Sequence, residues 1–227
     1  DFLSLSRNLE NDSTYAKAAN ILEPKSYEPL LENTEIIINL VGQVEPDLEK
    51  FTASNLVGSL NLLNSAVKYN VKNIILISTI NVYGENNDLA SKENDVLSPK
   101  SNYGVIKMMN EKLYEHFSKL YGINVTILRL SGVYGPGKIK GFFPQMINAI
   151  SDKTITLRPY NYGNQLRDFI YVDDAIDGII KSINKNFSGF NIFNICSSKL
   201  YSIKEIISIT EKLANSHISV EYNSEKF

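Results

Sequence analysis

Three short aliphatic runs, 35–41, Asn73–Thr79 and Asn124–Leu130, constrain this chain more than anything else in it. The first two are continuous in Ile, Leu and Val with no polar alternation, the mark of strands buried on both faces. Between them, Phe51, Leu56, Val57, Leu60, Leu63, Ala66 and Val67 recur at helical spacing over 48–70. Between the second and third, Val105, Met108, Met109, Leu113, Phe117 and Leu120 do the same over 102–121, with Gly122 placed to end the helix. Strands alternating with helices this long imply parallel strands joined by right-handed crossovers, an α/β doubly wound sheet. Ligands of such sheets bind beyond the carboxyl ends of the strands.

The remaining segments are read with the same rules. Residues 2–6 alternate as a strand, and Pro24 and Pro29 limit any helix in 15–31. Helices are expected at 143–150, 173–183 and 203–213, and strands at 190–195 and 218–222. Gly58, inside a helical stretch, costs about 1 kcal/mol relative to Ala and implies close packing on a neighbour. The long polar connection 80–99 carries Val82-Tyr83-Gly84, and connections of that length are usually functional.

Composition excludes several classes. With 227 residues, 43% hydrophobic and 21% charged, the chain can bury a full core. A net charge of -2 without a basic cluster argues against nucleic acid and anionic membranes, and no apolar run reaches the length of a membrane span. The single Cys196 has no partner for a disulfide or a metal cluster, which points to a reducing, cytoplasmic setting, and two histidines are too few for a zinc site.

The chemistry concentrates in Ser101-Asn102-Tyr103-Gly104-Val105-Ile106-Lys107. On a helix, Tyr103 and Lys107 emerge from one face, one turn apart. A cation there favours the phenolate, letting a tyrosine act as a base near neutrality. Ordinary helix-surface neighbours show the same spacing, so the pair alone does not decide. The residues at the expected strand ends are Gly42 and Gln43, where the backbone can approach a ligand, Ser78 and Thr79, and Ser131 and Gly132.

Taken together, these segments resemble the extended short-chain dehydrogenase/reductase family of nucleotide-sugar epimerases and dehydratases. The resemblance is carried by Asn39-Leu40-Val41-Gly42-Gln43, Asn55-Leu56-Val57-Gly58-Ser59-Leu60-Asn61-Leu62-Leu63 and Ile77-Ser78-Thr79-Ile80-Asn81-Val82-Tyr83-Gly84. It continues in Tyr103 and Lys107 as Tyr-x-x-x-Lys, in 129–137 as Arg-x-x-x-Val-Tyr-Gly-Pro-Gly, and in 167–174 as Arg-Asp-Phe-x-x-Val-x-Asp. It implies a Rossmann-like core (1–137 and 168–195) and a small substrate lobe (138–167 and 196–227). It also implies a catalytic set of Thr79, Tyr103 and Lys107, with Lys107 lowering the tyrosine pKa. Leu40, Val41, Gly42, Ser78, Tyr103, Lys107, Ser131, Gly132 and Val133 would hold the dinucleotide, and Thr79 and Arg167 the substrate, Arg167 pairing with phosphate. The alternative for Thr79 is a hydroxyl spent on local backbone, and for Arg167 a salt bridge to Asp168 or Asp173. Asp173 and Asp174 are expected to cap the helix they precede. Arg7, after the first strand and with no acid before Glu10, leans the cofactor from NAD towards NADP.

Some features depart from the family's pattern. Its opening strand, helix and glycine-rich turn are not in this sequence, and Asp1 falls near the expected second strand, as in a fragment of a longer protein. Ile80 and Asn81 follow Thr79 where sugar dehydratases carry Asp-Glu, which argues against dehydration. Gly132 stands where many epimerases have Asn. The function expected from the resemblance is a nucleotide-sugar 4-epimerase, with a carbonyl reductase or a non-catalytic dinucleotide-binding protein as alternatives. A homodimer through helices 48–70 and 102–121 is also implied.

Overall fold

A computed structural model describes residues 3–7, 12–42, 47–84 and 90–224. Gln43, one of the residues at the expected strand ends, lies outside the described residues, as does Phe2. In chain order the elements are β1 (Ser4–Ser6), β2 (Ala16–Ala18), β3 (Ile36–Asn39), α1 (Leu48–Thr52), a π turn (Ala53–Val57), α2 (Gly58–Lys68), β4 (Asn73–Thr79), α3 (Asn102–Tyr121) and β5 (Asn124–Leu130). They continue as β6 (Gly132–Tyr134), α4 (Phe142–Ser151), β7 (Leu166–Tyr171), α5 (Val172–Lys185), β8 (Phe190–Ile195), β9 (Leu200–Ser202) and α6 (Ile203–Ala214). Residues 1–130 and 178–194 form one compact unit, and 131–177 with 195–227 a second.

In the first unit the sheet runs in the order β3-β4-β5-β8, with β3, β4 and β5 parallel as the aliphatic runs predict. Register is fixed by burial on both faces: Ile37 faces Ile74 across one ladder, and Ile74 faces Val125 across the next. Leu63, Ala66, Tyr114 and Phe117 from α2 and α3 close over Ile74, Leu76, Val125 and Ile127 in one core. β1 pairs in parallel with β2 as a separate two-stranded sheet. β2 falls in the stretch that its prolines made hard to read, and at three residues it is too short to show alternation.

The single helix expected over 48–70 is instead α1, the π turn and α2. The Gly58 N–H reaches back to the Ala53 carbonyl, so one extra residue is accommodated within the turn. Gly58 does pack closely: an added Cβ would lie 2.6 Å from Ile21 Cγ2. α3 matches its expected bounds, and Gly122 ends it in the left-handed conformation at φ 68°.

The second unit carries a three-stranded sheet in the order β6-β7-β9, with β6 parallel and β9 antiparallel to β7. Met146, Ala149, Leu157, Ile203, Ile206, Ile207 and Ile218 form its core. Ser202 caps α6 through a reciprocal capping box with Glu205. The strand expected at 218–222 is reduced to one bridge between Leu157 and Val220. Asp173 and Asp174 do not precede α5 but occupy its first turn, where their charge favours the helix N-terminus.

Candidate active site

The first turn of α3 is placed by its own small residues. Ser101 Oγ accepts the Gly104 N–H at 3.1 Å, the N-cap geometry that starts a helix at Asn102. A Cβ at Gly104 would fall 2.7 Å from the Asn81 carbonyl oxygen and 2.8 Å from Pro99 Cβ. Glycine therefore lets α3 rest directly on the chain leaving β4, and this brings Tyr103 to Thr79. The Tyr103 ring stacks on Phe51, with centroids 5.7 Å apart and planes at 28°.

Lys107, one turn further on, is only 2% exposed. Its Nζ donates to the carbonyls of Val41 at 2.9 Å and Ile77 at 3.0 Å, joining the ends of β3 and β4. What needs the room at Gly42 is this ammonium, because a Cβ there would collide with Lys107 Nζ and lie 2.7 Å from Cε. Asn39 holds the segment from the other side. Its Oδ1 accepts the Val41 N–H at 2.9 Å while its Nδ2 donates to Tyr114 Oη at 2.7 Å. Leu40 stands exposed, and Val41 and Gly42 are half-buried.

Electrostatics correct one expectation. The Tyr103 phenol is raised above its ordinary value, because burial disfavours the phenolate, and the partner that draws it back is Thr79 and not Lys107. Lys107 is itself pushed down to about 8 by burial, against the opposing charge of Glu111. The local backbone bond expected as the alternative for Thr79 is present. Its Oγ1 accepts the Asn81 N–H at 3.2 Å, and the same hydroxyl stands by Tyr103.

Sequence reasoning missed the group beneath these residues. Glu111 and Arg129, 3% and 2% exposed, form an ion pair at 2.7 Å. Ser78 Oγ donates to Glu111 Oε1 at 2.5 Å, while Arg129 Nη1 donates to Tyr83 Oη at 2.7 Å and to the Glu93 carbonyl at 3.0 Å. Asn194 accepts from Tyr83 Oη at 2.7 Å and donates from Nδ2 to the Ser91 carbonyl at 2.9 Å. The polar connection after β4 is thus fastened to a buried charge. Ser78, Tyr83 and Arg129 stand in the motif segments, and the signal for Glu111 was position, four residues after Lys107 on the same helical face.

The first unit brings together Leu40, Val41, Gly42, Ser78, Thr79, Tyr103 and Lys107. Arg7 also belongs to it, exposed at the end of β1. Ser131, Gly132, Val133 and Arg167 belong to the second unit. There Gly132 pairs with Phe169, and a Cβ on it would lie 2.8 Å from the Phe169 ring, so an Asn side chain has no room at this position. Arg167 is exposed and donates to the Leu166 carbonyl at 3.2 Å, while Asp168 Oδ1 accepts the Ser197 N–H at 3.0 Å.

Buried polar atoms without partners among the described residues are where a bound polar group would be satisfied. In the first unit Asn55 Oδ1 is one, 3.5 Å from the place of a Cβ on Gly42. In the second, Ser131 Oγ is another. Lys107 has one N–H beyond the two spent on carbonyls. Within the first unit, the Asn55 acceptor and this Lys107 N–H are of the kind that a dinucleotide's amide and ribose groups would satisfy. Among the described residues no group of His, Cys, Asp and Glu could hold a metal ion, and no helix is long and apolar enough to cross a membrane.

Residues 4–196 match the model of the NAD dependent epimerase/dehydratase family. The chain is 33% identical to an uncharacterized protein of Methanocaldococcus jannaschii, over 92% of this chain and 66% of that protein. It is 32% identical to the UDP-glucuronate 4-epimerase of Thermodesulfobacterium geofontis, over 76% of this chain and 53% of the relative. Among solved structures it resembles the UDP-glucuronic acid 4-epimerase of Bacillus cereus in complex with NAD, with a TM-score of 0.83 and 28% identity over 93% of this chain and 70% of that one. The chain therefore spans between half and two thirds of the curated relatives it matches here.

Proposed function

Since this chain belongs to the NAD dependent epimerase/dehydratase family, we propose that Thr79, Tyr103 and Lys107 are the reactive centre of a nucleotide-sugar 4-epimerase. The observation that carries this reading is the convergence of those side chains where β3 and β4 end and α3 begins. Bound NAD supplies the hydride acceptor at such a centre. In the first unit Leu40, Val41, Gly42, Ser78, Tyr103 and Lys107 would hold the dinucleotide; in the second, the family resemblance gives Ser131, Gly132 and Val133 to the cofactor and Arg167 to the substrate diphosphate. The NADP lean drawn from Arg7 has no support from the neighbours, whose complexes hold NAD.

Each of these side chains has a defined task. Tyr103 accepts the proton of the sugar hydroxyl as the carbon is oxidised and returns it on reduction. Thr79 already accepts from the Asn81 N–H and bonds Tyr103 through its hydroxyl, and with substrate bound that O–H would turn to donate to the reacting oxygen. Lys107 contributes its remaining N–H and, while protonated, a positive charge near the phenol. Ile80 and Asn81 after Thr79 offer no acid for elimination, which favours epimerisation over dehydration. The matched relatives and neighbours make uronic or neutral UDP-sugars the substrates to try first.

The test is direct. Denatured protein is expected to release NAD, and the native protein to interconvert UDP-glucuronate with its C4 epimer, or UDP-glucose with UDP-galactose, without net NADH. Absence of both conversions in a NAD-loaded protein would sink the epimerase reading. A second reading, a keto-sugar reductase, is favoured by one observation: a phenol raised by burial holds its proton, as a donor to a carbonyl must. Stoichiometric consumption of NAD(P)H distinguishes the two.

Association is proposed through α2 and α3. Val57 at the end of the π turn and Leu60 on α2, with Val105 and Met109 on α3, are exposed apolar side chains at helical spacing. They are the residues a homodimer would cover.

A further inference from the structure

Lys107 on α3 and Arg129 on β5 are two cations, each 2% exposed, and among the described residues the one buried carboxylate is that of Glu111, also on α3. Burying a charge is costly unless it is paired, and an unbalanced second cation adds repulsion to desolvation. The carboxylate is fixed from two strands: Ser78 of β4 donates to Oε1 at 2.5 Å, and Arg129 of β5 reaches Oε2 through Nη2 at 2.7 Å. Glu111 sits one helical turn beyond Lys107, so this grip also fixes the rotation of α3 that aims Lys107 at the Val41 and Ile77 carbonyls. Ser78 immediately precedes Thr79, so the same contact holds the end of β4.

We propose that Glu111 is a positioning residue of this site, the counter-charge that keeps Lys107 an ammonium beside Tyr103 despite a second buried cation on β5. It touches neither substrate nor cofactor and acts through Lys107. Among the described residues, a short set of titratable groups bears on Lys107. α3 brings Tyr103 and Glu111, β5 brings Arg129, and Tyr83 with Glu93 stand on the far side of Arg129. The end of β3 (39–42), β4 and the π turn carry no titratable side chain. Glu111 is the group whose charge supports the ammonium. The inference rests on the reactive-centre reading only for why the ammonium matters, and its primary readout needs no turnover.

The titration of Lys107 is followed by 13C NMR of its side-chain Cε, assigned by loss of the signal in Lys107→Met. In Glu111→Gln, which keeps the shape and an acceptor but removes the charge, the midpoint is expected to fall by about one pH unit from its value near 8. In Glu111→Asp, which keeps the charge, it is expected to stay within a few tenths of the unmodified protein. An unmoved midpoint in Glu111→Gln, or an equal fall in both variants, would overturn the proposal, the second because shape rather than charge would then be responsible. If Glu111→Gln does not fold in buffer, the comparison is made for all three proteins in sucrose, an excluded osmolyte that stabilises the folded state. In a protein with measurable turnover, the alkaline limb of kcat should move to lower pH in Glu111→Gln with KM unchanged. A shifted midpoint with no turnover in any form would leave this inference standing and count against the epimerase reading alone.

Discussion

Tyr103 and Lys107 share one helical face, yet burial acts on them in opposite directions, raising the phenol and lowering the amine, so both neutral forms are favoured. The consequence for Lys107 is a stability that depends on pH. Its folded value of about 8 lies below the ordinary 10.5, so between these values the unfolded chain binds more protons and stability rises with pH. The rise should approach about 1.4 kcal/mol per pH unit between pH 8 and 10 relative to Lys107→Met. Above that range the raised tyrosines reverse the sign, because unfolded phenols ionise first. Urea unfolding of both proteins across the range checks this; parallel curves would contradict a buried amine. Tyr103→Phe, which removes the proton carrier and little volume, should lower kcat by about 10²- to 10⁴-fold with unfolding unchanged. At this scale the sequence singled out Tyr103 and Lys107 by their spacing and Thr79 by its place at a strand end, and the structure brings the three together. It concealed Glu111 and the pairing of the motif residue Arg129, because a charged residue reads as solvated until its partner on another element is known.

Among the elements, β4, α3, β5 and β8 had been legible because burial imposes a repeat that a dozen residues can display. The three-residue strands β2, β6 and β9 are too short to display one, and their pairing is decided by neighbours remote in sequence. The π turn was invisible for another reason: the apolar positions on either side of it still read as one helical stripe, while the extra residue changes only which side chains point inward. Gly58, the first residue of α2, gives this a measurable form. Gly58→Ala gains about 1 kcal/mol of helix propensity but forces a methyl onto Ile21, where overpacking costs about 1–3 kcal/mol. The expected net is a loss of about 1 kcal/mol in urea unfolding. A cycle with Ile21→Ala should show coupling of similar size, and additive effects would show that the contact is not what selects glycine.

For the whole molecule, association is the first quantity to measure. If Leu60 and Met109 line a homodimer, Met109→Glu should convert it to monomer in sedimentation equilibrium, because an unpaired charge in an apolar contact costs several kcal/mol. A native protein that sediments as a monomer would remove the interface from consideration. The path of the chain has its own consequence. It passes from the first compact unit to the second after Leu130, returns at Gly178, and leaves again after Asn194. Neither unit is a contiguous stretch, so no single cut can yield either one whole. Halves ending and beginning at 130/131 would divide one sheet between two polypeptides, with β8 carried by the half that lacks β3, β4 and β5. Such halves are obligate complements: each should remain unstructured alone and recover structure on mixing, which makes the pair a reporter of proximity between whatever is fused to them.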